Sequence, residues 1–67
     1  MNLMKNEQPY GKIIDAKSAS KLLGVSLSYV YKMVERDRIN CIKYPNAIRF
    51  FESDIIEFLN KHRVTAE

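Results

Sequence analysis

The chain has 67 residues and a formal net charge of +3, and 46% of its residues are hydrophobic. A chain of this length can form one small domain with a modest core, which leaves little room for a deep substrate cavity. The one suggestive pair of carboxylates, Asp54 and Glu57, is better explained by helix capping and surface charge than by acid–base chemistry. We therefore expect a protein that is not an enzyme and that uses no cofactor.

Basic residues are concentrated before residue 51. Residues 12–50 contain eight Lys or Arg and three Asp or Glu, whereas residues 51–67 contain two and four. A surface with scattered charges would explain the net charge equally well, but it would explain this separation less well. The distribution favours a polyanionic partner such as nucleic acid.

Cysteine and histidine are too few for a disulfide or a zinc site. Cys41 is the only cysteine, and the single histidine, His62, is distant from it in the sequence. A disulfide within the chain is therefore impossible, and zinc would lack ligands. Because the sequence also has no apolar run of membrane-spanning length and no signal peptide, we expect a cytoplasmic protein with no membrane partner.

The folded part is predicted to follow a flexible leader over residues 1–11. Residues 13–14 form a short extended entry, and Asp15 is a good N-cap for a first helix over residues 16–23. Gly24 ends this helix, because a residue without a Cβ adopts the left-handed conformation at least cost. The apolar spacing predicts a core side formed by Ala16, Ala19, Leu22 and Leu23. The outward side is predicted to consist of Lys17, Ser18, Ser20 and Lys21.

A second helix is predicted from its N-cap, Ser26, to about Arg36. Leu27 and Tyr31 flank its core side, and a core position for Tyr31 is favoured over a phosphate contact. Glu35 is placed at the margin of the polar side. At 100° per residue, the core side consists of Val30, Met33 and Val34. The polar side consists of Ser28, Tyr29, Lys32 and Arg36.

A β-hairpin and a last helix are predicted for the remaining segment. Residues 39–44 and 47–51 alternate as two strands around a turn at residues 45–46. Ser53 is the predicted N-cap of the helix that follows. The core stripe of this helix is predicted to be Ile55, Phe58 and Leu59, assisted by Ile56.

These elements predict one domain over residues 12–63, followed by a short tail over residues 64–67. The predicted fold class is mainly α with a small β-hairpin. Its order is helix, turn, recognition helix, hairpin wing and C-terminal helix, which is a winged helix-turn-helix.

Four runs of the sequence form a recognisable pattern: Ile14–Ser26, Val30–Val34, Ile48–Phe50 and Ser53–Leu59. The first run contains the motif Ala-x-x-Leu-Leu-Gly-Val-Ser. The pattern resembles the excisionase-like helix-turn-helix family, which is related to the DNA-binding domain of MerR-type regulators. The resemblance implies that the second helix enters the major groove of double-stranded DNA, while the hairpin wing lies along the backbone or the minor groove.

The resemblance and the charges of the side chains together predict which residues contact DNA. A helix that starts after Ser26 directs N–H groups at a phosphate, and Lys32 or Arg36 can pair with phosphate or guanine. Each of these residues could instead be an ordinary cap or a solvated surface side chain, and that alternative stays open. The predicted DNA-contacting residues are Lys17, Ser26, Leu27, Ser28, Tyr29, Lys32, Arg36, Lys43, Asn46 and Arg49.

Three functions fit this pattern. The first is an excisionase that binds and bends attachment-site DNA to assist an integrase, as a monomer that binds DNA cooperatively because one copy makes few contacts. The second is a stand-alone transcriptional regulator of the same fold, since fold does not fix biological output. The third is a protein-interaction adaptor, favoured by Leu27, which stands where the family often has arginine.

Overall fold

The computed structural model describes residues 11–64. In chain order they form β1 Ile13–Asp15, α1 Ala16–Leu23, α2 Leu27–Glu35, β2 Ile42–Tyr44, β3 Ala47–Phe51 and α3 Glu52–His62. The predicted fold class, mainly α with a small β-hairpin, is confirmed by this order of elements. The predicted leader, except for Gly11, and the predicted tail, except for Val64, lie outside the described residues.

Helix α1 begins and ends where its capping residues predict. The carboxylate of Asp15 accepts a 2.8 Å hydrogen bond from the backbone N–H of Ser18. This hydrogen bond is the main reason why the pKa of Asp15 is lowered from its ordinary value. At the other end Gly24 has φ of 72°, and its N–H donates to the carbonyl of Ser20 at 2.8 Å.

The side of α1 that faces the core differs from the prediction. Leu22 is 41% exposed, whereas Ser20 is only 7% exposed. The buried face follows a spacing of three, four and seven residues from Ala16, which selects Ala19, Ser20 and Leu23 instead of Leu22. Burial of Ser20 is tolerated because its hydroxyl donates a 2.7 Å hydrogen bond to the carbonyl of Lys17. The prediction that Leu22 is a core residue is therefore wrong.

Helix α2 has the predicted N-cap and the predicted core side. Its N-cap is Ser26, and its buried residues are Val30, Met33 and Val34. The helix ends with Asp37 in the left-handed region at φ of 55°, and the N–H of Arg38 donates to the carbonyl of Met33 at 2.9 Å. This pair of features is a Schellman-type C-terminus in which aspartate occupies the position usually held by glycine.

The three strands form one antiparallel sheet with β3 in the centre. Ile14 of β1 lies opposite Phe50, and Lys43 of β2 lies opposite Ile48. The predicted extended entry is thus the edge strand β1. Strand β2 begins later than predicted, because Ile39 is buried in the core instead of extending the hairpin.

Helix α3 follows β3 without a loop. It begins at Glu52, and no side chain caps its N-terminus, so the prediction that Ser53 is the N-cap is wrong. The reason is strand pairing: the N–H of Glu52 donates to the carbonyl of Lys12 at 2.7 Å, which continues the β1–β3 ladder into the helix. A backbone carbonyl therefore satisfies one of the N–H groups that have no partner within the first turn of the helix.

The core lies where the sheet and the helices meet. Phe50, Ile55 and Val30 are its largest fully buried side chains, and they come from β3, α3 and α2 respectively. Phe58 packs against this core, as predicted, but Leu59 and Ile56 are 38% and 45% exposed. The core stripe of α3 is therefore narrower than predicted.

Candidate nucleic-acid interface

The outward side of α2 is the centre of the candidate interface. Ser28 and Lys32 are exposed and lie opposite the buried Val30 and Val34. Glu35 is exposed as well, and it follows Ser28 by seven residues, which is two helical turns. Glu35 therefore belongs to the outward side itself, and its placement at the margin was wrong. The outward side is basic in its middle and acidic at its C-terminal end.

The first turn of α2 is held by the hydroxyl of Ser26. This hydroxyl accepts a 3.1 Å hydrogen bond from the N–H of Tyr29, and it lies 3.3 Å from the hydroxyl of Ser28. Leu27, the first residue of the helix, is 40% exposed and takes no part in the core cluster. The turn thus presents two hydroxyls and an apolar side chain to solvent.

An open groove lies on one side of α2, between this helix and α3. We call it the α3-side groove; its volume is about 670 Å³. The α2 wall of the groove includes Tyr29, Lys32 and Arg36, and the α3 wall includes Phe58 and Leu59. No Asp or Glu of the described residues lines it. The groove therefore combines an apolar floor with a basic rim.

Two residues that the sequence did not single out contribute to the α3-side groove. Arg38, in the turn that follows α2, is the third cation that lines this groove, after Lys32 and Arg36. The ring of His62 stacks on Phe58 with a centroid distance of 4.2 Å, and its Nδ1 lies 2.9 Å from the carbonyl of Phe58. The sequence could have indicated Arg38, because it directly follows Asp37, the residue at which the helix ends.

A second concavity lies on the opposite side of α2, between this helix and the hairpin. We call it the hairpin-side cleft; its volume is about 380 Å³. Tyr31 lines it from α2, and Lys43, Tyr44 and Asn46 line it from the hairpin. Tyr31 is 47% exposed, so the prediction that favoured a core position for it is wrong. Tyr31 instead faces a cleft whose other described lining residues all belong to the hairpin.

The predicted DNA-contacting residues do not all lie together. Arg49 is half-buried on the central strand, opposite Asp15, and its guanidinium donates a 2.8 Å hydrogen bond to the carbonyl of Ile48. It lines neither the α3-side groove nor the hairpin-side cleft. Lys17 is exposed on α1 and likewise lines neither concavity. The residues that surround the outward side of α2 are Ser26, Leu27, Ser28, Tyr29, Lys32, Arg36, Lys43 and Asn46.

Residues 11–64 contain neither a metal-binding cluster nor a membrane-spanning helix. No group of three or more His, Cys, Asp or Glu side chains in this range is arranged to hold a metal ion. Within the same residues, no helix has the length and apolar character needed to cross a membrane.

Comparison with known proteins gives one match. No curated protein and no solved structure matches the chain significantly. A family model described as a helix-turn-helix domain matches residues 14–63, a range that begins in β1 and ends just after α3. The match includes both helices of the motif, the hairpin and the last helix, and it indicates DNA binding. The chain belongs to the helix-turn-helix domain family.

Proposed function

We propose that this protein binds double-stranded DNA sequence-specifically, with α2 in the major groove. The observation that carries the proposal is the outward side of α2, where Lys32 is exposed between two concavities that no described carboxylate lines. An α-helix fits the major groove, and the Lys and Arg side chains that line the two flanking concavities match the phosphates on both sides of that groove.

The first turn of α2 is suited to base recognition. Ser28 and Tyr29 offer hydroxyl groups, and both side chains are exposed. Leu27 offers an apolar contact for the methyl group of thymine. The N-terminal residues of a recognition helix are the ones that reach base edges in helix-turn-helix docking. The hydroxyl of Ser26 fixes the start of the helix, whose positive dipole end favours a nearby phosphate.

The basic residues are assigned to the backbone and to guanine. Lys32 and Arg36 lie one turn apart on α2, where arginine can pair with guanine and either residue can pair with a phosphate. Lys43 and Asn46 of the hairpin add contacts on the other side. Lys17 and Arg49 are placed at the periphery, since neither adjoins the two concavities.

The biological role that we propose is that of an excisionase, which bends attachment-site DNA and assists an integrase. A domain with so few candidate contacts gains affinity by cooperative binding to adjacent sites. A stand-alone transcriptional regulator would use the same surface. An adaptor function is the second class of candidate, and the apolar floor of the α3-side groove favours it, since apolar contacts serve protein partners better than phosphates.

The test is a gel-shift titration against the DNA that surrounds the protein's own gene, at two salt concentrations. We expect a shift that weakens steeply with salt, because each neutralised phosphate releases a counterion. Lys32→Ala should weaken binding by about tenfold and reduce the salt slope by about one. Lys61→Ala on α3 removes the same charge away from α2 and is the matched control.

The outcomes separate the candidates. If Lys32→Ala binds DNA as tightly as the parent protein, α2 is not the contact surface. If the parent shows no specific, salt-sensitive shift, the adaptor function replaces DNA binding. For a protein that does bind, a recombination assay with an integrase whose attachment site it binds distinguishes an excisionase, which raises the excision rate, from a regulator, which leaves it unchanged.

A further inference from the structure

We propose that one phosphate of the bound DNA sits in the hairpin-side cleft, between the hydroxyl of Tyr31 and the ammonium group of Lys43. The inference rests on the proposed function and extends it, because it makes Tyr31 a phosphate-contacting residue. It also gives α2 and the hairpin a shared ligand.

The first support is the position of Tyr31 on α2. Its neighbours in the helix, Val30 and Val34, are buried, yet Tyr31 is 47% exposed and stands outside the core cluster. A large aromatic residue is thus about half exposed in a domain with a small core. The ring lines the hairpin-side cleft, so its hydroxyl belongs to the gap between α2 and the hairpin.

The second support is the face of the sheet that carries Lys43. Lys43 lies directly opposite Ile48, and cross-strand partners project from the same face of a sheet. Ile48 and Phe50 are two residues apart on β3, so both project from the same face, which is the face that packs on the core. Lys43 therefore projects from the face that carries the core, but at the exposed end of the hairpin, where it lines the cleft with Tyr31.

The third support is the chemistry of the cleft. The Tyr31 hydroxyl, the Lys43 ammonium group and the Asn46 amide can all donate hydrogen bonds, and no Asp or Glu of the described residues lines the cleft. Several donors that line one cleft without a carboxylate beside them suit an oxyanion. The rest of the wall includes Pro45, Ala47 and Ile48, none of which is charged.

The location of the cleft agrees with the path of DNA in the proposed complex. When α2 occupies the major groove, a phosphate backbone runs along each edge of that groove. The hairpin stands beside α2 on the Tyr31 side, so the strand at that edge passes between them. A phosphate held from both elements would fix the angle at which α2 enters the groove.

The experiment combines Tyr31→Phe with DNA in which single phosphates are replaced by neutral methylphosphonates. Tyr31→Phe keeps the ring and should weaken binding by about five- to tenfold, since hydrogen bonds to charged groups are the stronger ones. We expect one methylphosphonate position to weaken Tyr31→Phe less than it weakens the parent protein, because the variant loses only the Lys43 contact there. Lys43→Gln should couple to that same position.

Lys61→Gln on α3 is the matched control for loss of one charge, and it should show no coupling to any single phosphate. Thermal melting by circular dichroism checks that Tyr31→Phe folds like the parent, and we expect it to do so because the variant keeps the ring. A coupled loss at one shared phosphate supports the proposal.

Two results would overturn it. If Tyr31→Phe binds like the parent while Tyr31→Ala binds weakly, the ring packs or stacks and its hydroxyl holds no phosphate. If Tyr31→Phe binds more weakly than the parent by the same factor on every duplex, whichever phosphate is neutralised, the hydroxyl does not act at one phosphate. In either case the proposed function still holds if DNA binding depends on Lys32. If the parent protein binds no DNA, the phosphate site and the proposed function are both refuted.

Discussion

The two sides of α2 carry tyrosines of nearly equal exposure in different surroundings. Tyr29 is 49% exposed and lines the α3-side groove, whose floor is apolar. Tyr31 is 47% exposed and lines the hairpin-side cleft, where most polar groups are donors. Exposure alone therefore does not assign a role to a side chain. The element that lies across the concavity from each side of the helix determines which ligand that side can accept.

The difference follows from what stands beside α2. On one side, helix α3 contributes Phe58 and Leu59, which are partly buried or exposed apolar side chains. On the other side stands the end of a hairpin, whose turn residues are small or polar and whose strand contributes Lys43. Lys32 and Glu35 lie between the two sides, so substitutions of these residues change the charge next to both the groove and the cleft.

The largest expected effect is the unfolding of the domain, and with it the loss of the groove and the cleft, when a core side chain is truncated. Phe50→Ala should reduce the free energy of unfolding by about 3–5 kcal/mol, because Phe50 is fully buried beneath the sheet that carries the hairpin. In a domain this small, that loss approaches the total stability. Chemical denaturation followed by circular dichroism measures it.

Leu22→Ala is the control for that measurement. Leu22 is 41% exposed, so its truncation should cost about 1 kcal/mol or less. A cost of 2–5 kcal/mol, which is typical of a core leucine, would contradict the register of α1 described here.

A smaller effect is expected at Glu35, which lies between the two sides of α2. Glu35→Gln should strengthen DNA binding by about two- to fivefold, because it removes a carboxylate that faces the phosphates of the groove. The gain should shrink at high salt. Fluorescence anisotropy with a labelled duplex measures it, and Glu57→Gln on α3 is the control. Weaker binding to one sequence only would show instead that Glu35 accepts a hydrogen bond from a cytosine amino group.

An effect of similar size is expected where α2 ends and the chain turns towards the hairpin. Asp37 holds φ of 55°, a conformation that glycine adopts without a Cβ penalty. Asp37→Gly should raise the free energy of unfolding by about 0.5–1 kcal/mol without changing either side of α2. Thermal melting tests this prediction, with Asp37→Ala expected to melt below the parent. A variant with glycine that melts lower would mean that the Asp37 side chain itself stabilises the turn.

Helix boundaries were predictable because they rest on local chemistry. Asp15, Gly24 and Ser26 act through their own backbone neighbours, so a single sequence contains the whole signal. The start of α3 was not predictable in this way, since the N–H of Glu52 pairs with the carbonyl of Lys12, forty residues earlier in the chain, and the helix begins before Ser53. Sequence spacing does not reveal such a distant partner.

The orientation of helices was less predictable than their extent. An eight-residue helix such as α1 offers two overlapping apolar faces, and periodicity does not decide whether Leu22 or Ser20 is buried. Periodicity likewise does not decide whether Tyr31, at the margin of the core side of α2, is buried or exposed. The prediction of the exposed polar residues of α2 was largely correct. The set of DNA-contacting side chains around α2 could be proposed from residue types, whereas the cleft that joins Tyr31 to Lys43 depends on strand register.

The direct junction between β3 and α3 determines where the chain can change in length. Because Phe51 ends the strand and Glu52 begins the helix, an inserted residue there would rotate α3 by about 100° and turn Ile55 out of the core. The turn at residues 45–46 has no such constraint, since it is exposed and joins two strands at their free ends. Relatives and engineered variants should therefore accept insertions at the hairpin tip and retain the junction without change.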